Sequence, residues 1–187
     1  MEWPLFRSSI TAAPGLESNS QGKPTLTIRP QPAISIALST PTGLYTPTLT
    51  SLNTSNIYDI ASSLARLAYL GRQVPCGLTL KEMPKKGGTI TISNVGAIGK
   101  GEWANPVLVP GGGIAIVAIG RAKWVLDVDG PEAGVGSEGN ALGMRKLKVG
   151  VSWSADHRVV EGAELAAFVE CWRSWVETPE RLIGEAR

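Results

Sequence analysis

Histidine and cysteine are scarce in this sequence, and their scarcity limits the chemistry that the chain can support. Cys76 and Cys171 are the only cysteines in 187 residues, and neither belongs to a C-x-x-C motif. Because metal sites and disulfide frameworks need several ligands at regular spacing, the sequence predicts no metal and fits a reducing compartment. The single histidine, His157, is the one imidazole available as a general base.

The sequence also lacks a strong charge imbalance and a long apolar run. It carries 18 Lys and Arg against 16 Asp and Glu, a formal net charge of +2, and the basic residues form no stripe. No segment approaches the roughly 18 consecutive apolar residues of a membrane span. The first residues, M-E-W-P-L-F-R, lack the order of a secretion signal. We therefore expect neither nucleic-acid binding nor a membrane anchor.

The only histidine lies in the most informative stretch of the chain, residues 152–162, which read S-W-S-A-D-H-R-V-V-E-G. Apolar and polar residues alternate over residues 146–153, which predicts a strand that ends just before His157. Apolar residues then recur at helical spacing over residues 163–176, which predicts a helix. Such a junction holds a catalytic group on rigid elements, although a lone histidine is also common on protein surfaces.

Other periodic segments predict an alternation of strands and helices, and hence one α/β domain. Strands are expected at residues 33–38, 88–95 and 113–120, and the last is so uniformly apolar that it should be central in a sheet. A helix is expected over residues 57–68, capped by Ser55 or Asn56. Gly71 should close this helix in a left-handed turn. The glycine-rich segment 127–143 should separate two strands that would pair as a hairpin if the loop were shorter.

Several motifs resemble those of one enzyme family. The sequence D-H-R-x-x-E-G at residues 156–162 resembles the D-H-R-x-x-D-G signature of the acyltransferase (E2) components of 2-oxoacid dehydrogenase complexes, and most of all the branched-chain type. Residues 88–96 resemble the family's G-T-x-T-x-S-N-x-G strand, and residues 43–47 and 103–110 are similar to two further family segments. The resemblance implies the fold of chloramphenicol acetyltransferase, an α/β fold with a mixed β-sheet covered by helices.

The resemblance also implies roles for the residues of the two main motifs. His157 would be the general base that deprotonates the incoming thiol, and Ser93 the donor that stabilises the oxyanion of the tetrahedral intermediate. Glu161 stands where the family has an aspartate that holds the active-site loop, so one extra methylene shifts the carboxylate. Three residues are expected to support the site, namely Asp156, Arg158 and Asn94. Pattern alone favours the simpler reading that Ser93 and Asn94 are the ordinary polar end of a strand, and the family resemblance reverses that preference.

Substrates, partners and location are likewise implied by the resemblance. A coenzyme A thioester would be one substrate and a dihydrolipoyl group on a partner protein the other, with no metal involved. Family active sites lie between the subunits of a trimer, so we expect a homo-oligomer, either a trimer or a multiple of trimers. Other components of a 2-oxoacid dehydrogenase complex are expected partners. Mitochondrial residence follows from kinship alone, with the cytoplasm as the alternative.

The expected domain organisation is a single, shortened catalytic domain over residues 1–187, in which residues 1–32 are a poorly matched N-terminal segment. We expect the family's preceding helices, lipoyl domain and subunit-binding domain to be absent. Two alternatives to an active acyltransferase therefore remain. One is a catalytically degenerate protein that serves assembly, which Glu161 favours and the retention of His157 and Ser93 opposes. The other is the same pocket repurposed for another acceptor or a small metabolite.

Overall fold

The computed structural model describes residues 3–11, 24–108, 113–128, 134–135 and 141–184 of the chain. The strands are β1 (Ser8–Thr11), β2 (Thr25–Ile28), β3 (Ile34–Thr40), β4 (Gly43–Tyr45), β5 (Thr48–Leu49), β6 (Ile90–Asn94), β7 (Ala115–Ile119), β8 (Lys123–Asp127), β9 (Gly134–Val135), β10 (Ala141–Leu142), β11 (Met144–Lys148) and β12 (Val151–Ala155). The α-helices are α1 (Ile57–Arg72), α2 (Gly162–Glu177) and α3 (Glu180–Gly184), and short 3-10 helices occupy Pro4–Arg7 and Leu52–Thr54. Among the helices in these ranges, none has the length and apolar character needed to cross a membrane.

The chain divides into two compact units. The first takes its residues from 1–93, 106–117 and 153–187, and the second from 94–105 and 118–152. That residues 1–187 act as a single domain stays a prediction. The residues singled out by the sequence, apart from Asn94, all fall in the first unit.

A mixed sheet of six strands organises the first unit. The strand order is β12-β7-β6-β3-β4, and β5 also pairs with β3. Strand β3 runs parallel to β6, which places Ala37 opposite Ser93, and it runs antiparallel to β4 and β5. Strand β7 lies between β12 and β6, and its residues Ala115 and Val117 are buried. The prediction that this apolar segment is central is therefore confirmed.

An aromatic cluster joins the N-terminal segment to helix α2. Phe6 is buried and stacks on Phe168 of α2 with the ring centroids 3.9 Å apart. Trp153 of β12 makes T-shaped contacts with Phe168 and with Trp172 of the same helix. Because each aromatic ring buries on the order of 150–250 Å², these contacts hold α2 against the sheet. Residues near the start of the chain thus belong to the core.

Helix α1 begins as predicted but ends differently. Asn56 caps it, since its side chain accepts a hydrogen bond from the Asp59 N–H at 2.9 Å. The Asp59 carboxylate in turn accepts a hydrogen bond from the Asn56 N–H, which completes a capping box. The predicted left-handed turn at Gly71 is wrong, because the helix continues through this residue to Arg72. A Cβ atom at Gly71 would lie 2.6 Å from Cδ2 of Leu38 in β3. Gly71 therefore lies inside the helix where α1 approaches the sheet, and a Cβ atom there would require the Leu38 side chain to shift.

The expectation that segment 127–143 is too long for its flanking strands to pair is wrong, because they form a hairpin in the second unit. Strands β8 and β11 pair antiparallel, with Trp124 opposite Leu147 and Leu126 opposite Arg145. The two-residue strands β9 and β10 also pair. Residues 129–133 and 136–140 of the connecting segment lie outside the described residues.

The single strand predicted over residues 146–153 is wrong, since the chain breaks there into β11 and β12, which belong to different sheets. The break falls at Gly150. A Cβ atom at this position would lie 2.3 Å from the carbonyl oxygen of Glu102 and 2.9 Å from the ring of Trp103. The Gly150 carbonyl also accepts a hydrogen bond from the Gly120 N–H at 2.8 Å. This close packing, which no alternation pattern reveals, ends the first strand.

Candidate active site

Ser93 lies in the wall of a cavity of about 270 Å³ in the first unit. The polar residues that share this wall are Ser35, Thr46 and Thr91, of which Ser35 and Thr91 lie on the same face of strands β3 and β6 as Ser93 does. The other side chains of the lining are apolar, namely Ala37, Leu44, Val107, Leu108 and Ile116. Within the described part of the chain, no group forms a hydrogen bond with the Ser93 hydroxyl. This hydroxyl is therefore a donor available to a ligand in a largely apolar space.

A short polar network fixes the wall beneath that hydroxyl. The Ser35 and Thr48 hydroxyls are 2.8 Å apart, and Ser35 Oγ also accepts a hydrogen bond from the Gly88 N–H at 2.8 Å. A Cβ atom at Gly88 would lie 2.4 Å from the backbone nitrogen of Ser35. Only glycine therefore permits this approach of the two strands. The glycine that opens the G-T-I-T-I-S-N-V-G motif has a packing role at the cavity.

His157 lies in a turn between β12 and α2 that is anchored on both sides. Before it, the Asp156 N–H donates to the Ile114 carbonyl at 2.8 Å, which ties the turn to the segment entering β7. After it, the N–H groups of Val159 and Val160 both donate to the Asp156 carbonyl, at 2.9 and 3.0 Å. Val160 is buried in the core. The backbone around His157 is thus held by the sheet, as the sequence pattern predicted.

Asp156 and Arg158 form an ion pair within the turn. The Arg158 guanidinium donates to both carboxylate oxygens, with Nη2 to Oδ2 at 2.6 Å and Nε to Oδ1 at 2.9 Å. The Arg158 N–H adds a bond to Oδ1 at 3.0 Å. These hydrogen bonds lower the pKa of Asp156, and the same pairing raises the pKa of Arg158. The carboxylate therefore remains ionised well below neutral pH and keeps the turn closed around His157.

Glu161 lies beside His157 without being hydrogen-bonded to it. Nδ1 of His157 and Oε2 of Glu161 are 4.0 Å apart, and both side chains are more than three quarters exposed. This separation exceeds hydrogen-bond distance, and an exposed pair of this kind contributes little to stability. No group of three or more His, Cys, Asp and Glu side chains suited to a metal ion occurs in the ranges that the structure describes.

The sheet keeps His157 and Ser93 apart within one copy of the chain. The Asp156 N–H bonds the Ile114 carbonyl, and the Ile114 N–H bonds the Thr89 carbonyl, so these three residues lie at one level of the sheet. Ser93 is four residues beyond that level. At about 3.3 Å per residue and about 4.8 Å per strand, Ser93 lies about 13 Å along and about 10 Å across the sheet from the start of the His157 turn. One copy therefore does not bring the His157 imidazole and the Ser93 hydroxyl together.

Two further residues complete the description of the site. The Ser154 hydroxyl donates to the Pro106 carbonyl at 2.7 Å, which positions the segment that carries Val107 and Leu108 along the cavity wall. The sequence pattern assigned Ser154 no role. Its one indication was Pro106, which lies in the family-like segment 103–110 and whose carbonyl accepts the bond from Ser154. Asn94 accepts a hydrogen bond from the Ala97 N–H at 3.1 Å and so caps the turn after β6. Its support of the oxyanion donor stays a prediction.

Comparison with known families indicates the family to which the chain belongs. The family model of the 2-oxoacid dehydrogenases acyltransferase catalytic domain matches residues 3–184. The chain belongs to this family. The match begins within the N-terminal segment and takes in both motifs around Ser93 and His157.

Relatives in animals and plants are similar over most of the chain. The mouse lipoamide acyltransferase component of the branched-chain alpha-keto acid dehydrogenase complex, a mitochondrial protein, is 32% identical over 179 residues, 96% of this chain. The corresponding protein of Arabidopsis thaliana is 34% identical over 155 residues, 82% of this chain. The chain spans about a third of the length of these relatives, 32% and 29% respectively.

Solved structures show the same fold. Dihydrolipoamide acetyltransferase of Azotobacter vinelandii superposes with a TM-score of 0.74 at 25% identity, over 97% of this chain and 65% of that one. That structure was determined to examine a serine, a histidine and an asparagine in the catalytic mechanism, the last two separated by four positions. His157 and Glu161 have the same separation. The cubic core of a pyruvate dehydrogenase complex superposes with a TM-score of 0.73 at 24% identity, again over 97% of this chain and 65% of that one. The predicted mixed α/β fold with helices on a central sheet is thereby confirmed.

Proposed function

We propose that this chain transfers an acyl group between coenzyme A and a dihydrolipoyl thiol. The observation that carries the proposal is the Ser93 hydroxyl, which has no hydrogen-bond partner among the described residues and lies in the wall of a mostly apolar cavity. Such a donor, held by a rigid strand in a space of low polarity, stabilises a developing oxyanion strongly. A cavity of about 270 Å³ suits a small acyl group, and the likeness to branched-chain relatives favours a branched one.

The chemistry requires one base, one donor and no covalent intermediate with the protein. His157 removes the proton from the dihydrolipoyl thiol, and the resulting thiolate attacks the carbonyl carbon of the acyl-CoA. A carbon–sulfur bond forms, and the carbonyl oxygen becomes an oxyanion that accepts a hydrogen bond from Ser93. When the tetrahedral intermediate collapses, the bond to the CoA sulfur breaks and the imidazolium returns its proton to that sulfur. Positioned bases and donors of these kinds each contribute about 10²–10³-fold.

The site is proposed to form between two copies of the chain. The separation of His157 from Ser93 along the sheet supports this, because neither group can reach an acyl carbon held by the other within one copy. An exposed apolar face on the β8–β11 hairpin supports association as well. Trp124, Leu126 and Leu147 on this face are each about 60% exposed. A face of this kind is commonly covered by another chain, and the trimer implied by the family resemblance supplies one.

Partners and location follow from the same proposal. The acyl acceptor is a lipoyl group carried by another protein, and the remaining enzymes of a 2-oxoacid dehydrogenase complex are the proposed neighbours. The relatives from mouse and Arabidopsis thaliana are mitochondrial, which supports mitochondrial residence for this chain. Coenzyme A acts as a substrate, and no step requires a metal.

The proposal is tested by incubating the protein with acetyl-, isobutyryl- and isovaleryl-CoA in the presence of dihydrolipoamide. Transfer is followed by the appearance of the new thioester and by mass spectrometry. His157→Ala and Ser93→Ala should each lower kcat by about 10²–10³-fold. Ser62→Ala, at an exposed position of α1, removes the same hydroxyl elsewhere and should leave the rate unchanged.

Two results would contradict the proposal in different ways. Equal, slow background transfer by all four proteins would show a catalytically degenerate member that serves assembly. Coenzyme A binding without transfer to dihydrolipoamide, together with transfer to an alcohol or amine, would show a repurposed pocket.

A further inference from the structure

A second and larger cavity lies in the first unit, and its lining is basic. Its volume is about 600 Å³, within the range of small-molecule sites. We call it the basic cleft and define it by the cations in its lining, Arg29, Lys85 and Lys86. None of the residues that line it is an aspartate or a glutamate. It shares no lining residue with the cavity at Ser93.

The cations of the basic cleft are held together by hydrogen bonds to backbone. The Arg29 guanidinium donates to the Gly87 carbonyl at 2.7 Å and to the Lys86 carbonyl at 2.9 Å. These bonds fix the turn that carries Lys85 and Lys86 next to the arginine. Because a guanidinium has five N–H donors, three remain for another acceptor. The three positive charges are therefore gathered by the fold.

A fourth cation lies directly behind the cleft. Arg7 donates through Nη1 to the carbonyls of Arg29 and Pro30, at 3.2 and 3.0 Å, and both of these residues line the cleft. Its Nε is buried and lacks a hydrogen-bond partner in the described ranges. Among the residues that the structure describes, no carboxylate pairs with any of these four cations. The nearest carboxylate in sequence, Glu82, is engaged by Thr79 and Arg66.

Hydroxyl groups complete the lining and indicate the class of ligand. Ser9 and Thr27 face each other across the β1–β2 pair, and Thr50 and Ser51 line the cleft as well. Arginine, lysine and hydroxyl donors together are the groups that bind phosphate oxygens. A concave surface lined by one sign of charge also concentrates ions of the opposite sign.

We propose that the basic cleft binds the diphosphate group of a small molecule. A diphosphate presents several anionic oxygens within a few ångströms, which matches the close grouping of Arg29, Lys85 and Lys86. This binding does not depend on the proposed transferase activity. Both a nucleoside diphosphate and coenzyme A carry the required group, and the test below separates these two sources.

The test measures binding of inorganic pyrophosphate, ADP and coenzyme A by calorimetry at low ionic strength. The variant is the double substitution Lys85→Ala and Lys86→Ala, at exposed positions, which retains the Lys86 and Gly87 carbonyls that bond Arg29. The matched control is Lys81→Ala with Lys100→Ala, which removes the same charge from exposed positions outside the cleft. Circular dichroism verifies that both variants are folded.

The expected result is saturable pyrophosphate binding that weakens at least about tenfold in the Lys85 and Lys86 variant and is unchanged in the control. Added salt should weaken it further. An equal loss of affinity for ADP and coenzyme A in the Lys85 and Lys86 variant would assign the cleft to nucleotides in general, and a loss confined to coenzyme A would assign it to the acyl carrier. The proposal is overturned if wild-type binding is not saturable, or if both double variants lose affinity equally. It is also overturned if a poly-glutamate peptide binds the cleft and pyrophosphate does not.

Discussion

The individual side chains of the candidate site fall into two groups. Those that build it are fully engaged, as Asp156 is with Arg158 and Ser35 is with Thr48 and Gly88. Those proposed to act on substrate are not, since the Ser93 hydroxyl has no partner in the described chain and His157 is exposed. A catalytic site needs functional groups that are free to bind the transition state, and it needs hydrogen-bonded neighbours that hold those groups in place.

Asp156 is predicted to be a positioning residue for His157. Asp156→Asn keeps an oxygen for the Arg158 N–H but loses the charged pair with the guanidinium. We expect kcat to fall about 10- to 100-fold with KM nearly unchanged, because the imidazole is displaced while substrate binding is retained.

Steady-state kinetics of Asp156→Asn beside Glu170→Gln tests this expectation. Glu170 forms an exposed pair with Arg173 on α2, so its substitution removes a similar interaction away from His157. An unchanged kcat in Asp156→Asn, or an equal loss in both variants, would show that the pair has no positioning role.

Glu82 is a buried carboxylate that organises the segment between α1 and β6. It accepts hydrogen bonds from the Thr79 hydroxyl at 2.7 Å and the Thr79 N–H at 3.0 Å, and it pairs with Arg66 at 3.1 Å. These interactions, led by the Thr79 hydroxyl, lower the pKa of Glu82 to about 2. The unfolded chain binds a proton at this residue at higher pH than the folded chain does. Its stabilisation is therefore complete above about pH 4.5 and is lost as pH falls through about 2.

Glu82→Gln should destabilise the protein by about 2 kcal/mol at pH 7, because a charged acceptor of several bonds is lost. The difference in unfolding free energy from wild type should shrink as the pH is lowered from 5 towards 2, since the wild-type carboxylate then becomes neutral as well. Urea denaturation of both proteins at several pH values measures it. A difference that stays constant over this range would contradict the assignment.

Two glycines, Gly88 and Gly162, differ in the space that surrounds them. Gly88 lies where β6 begins beside β3, with backbone atoms of Ser35 at 2.4 Å from the position of a Cβ atom. Gly162 begins α2 and has no atom within 4 Å of that position. A β-carbon is therefore excluded by packing at the first glycine and fits freely at the second.

Alanine substitutions at these two glycines should act in opposite directions. Gly88→Ala should destabilise the protein by about 3 kcal/mol and distort the cavity at Ser93, because backbone atoms must move. Gly162→Ala should stabilise it by about 0.5–1 kcal/mol, because it restricts the unfolded chain and favours the helix. Thermal unfolding of both variants measures the two changes in stability. A similar change in both would show that the space available for a Cβ atom does not decide the effect of the substitution.

At the scale of the whole molecule, the decisive feature is the distance between the two motifs. His157 follows β12 and Ser93 lies near the end of β6, with β7 between these strands, and the two residues lie at different levels of the sheet. A base and a donor must reach the same acyl carbon within a few ångströms. The proposed reaction therefore requires two copies of the chain.

Mixing two inactive variants tests this requirement. Ser93→Ala supplies an intact histidine and His157→Ala an intact serine, so a site formed between two different copies is complete. In randomly mixed closed oligomers, about a quarter of all sites should combine both intact residues, and in trimers that contain both variants about a third should do so and regain activity. Co-expression with two affinity tags, tandem purification and kinetics measure the recovery. An active wild type with no recovery in mixed oligomers would place the complete site within one copy.

Local patterns were enough to specify much of this protein. The motifs around Ser93 and His157 indicated the family, the apolar run of β7 indicated the centre of the sheet, and Asn56 marked the start of α1, because each depends on residues close together in the chain. The packing of Phe6 on Phe168, the break at Gly150 and the passage of α1 through Gly71 depend on contacts between distant segments. The same is true of the separation of Ser93 from His157 and of the gathering of Arg29 with Lys85 and Lys86. Only the tertiary structure decides these features, because the interactions that stabilise each of them join side chains and backbone from segments far apart in the sequence.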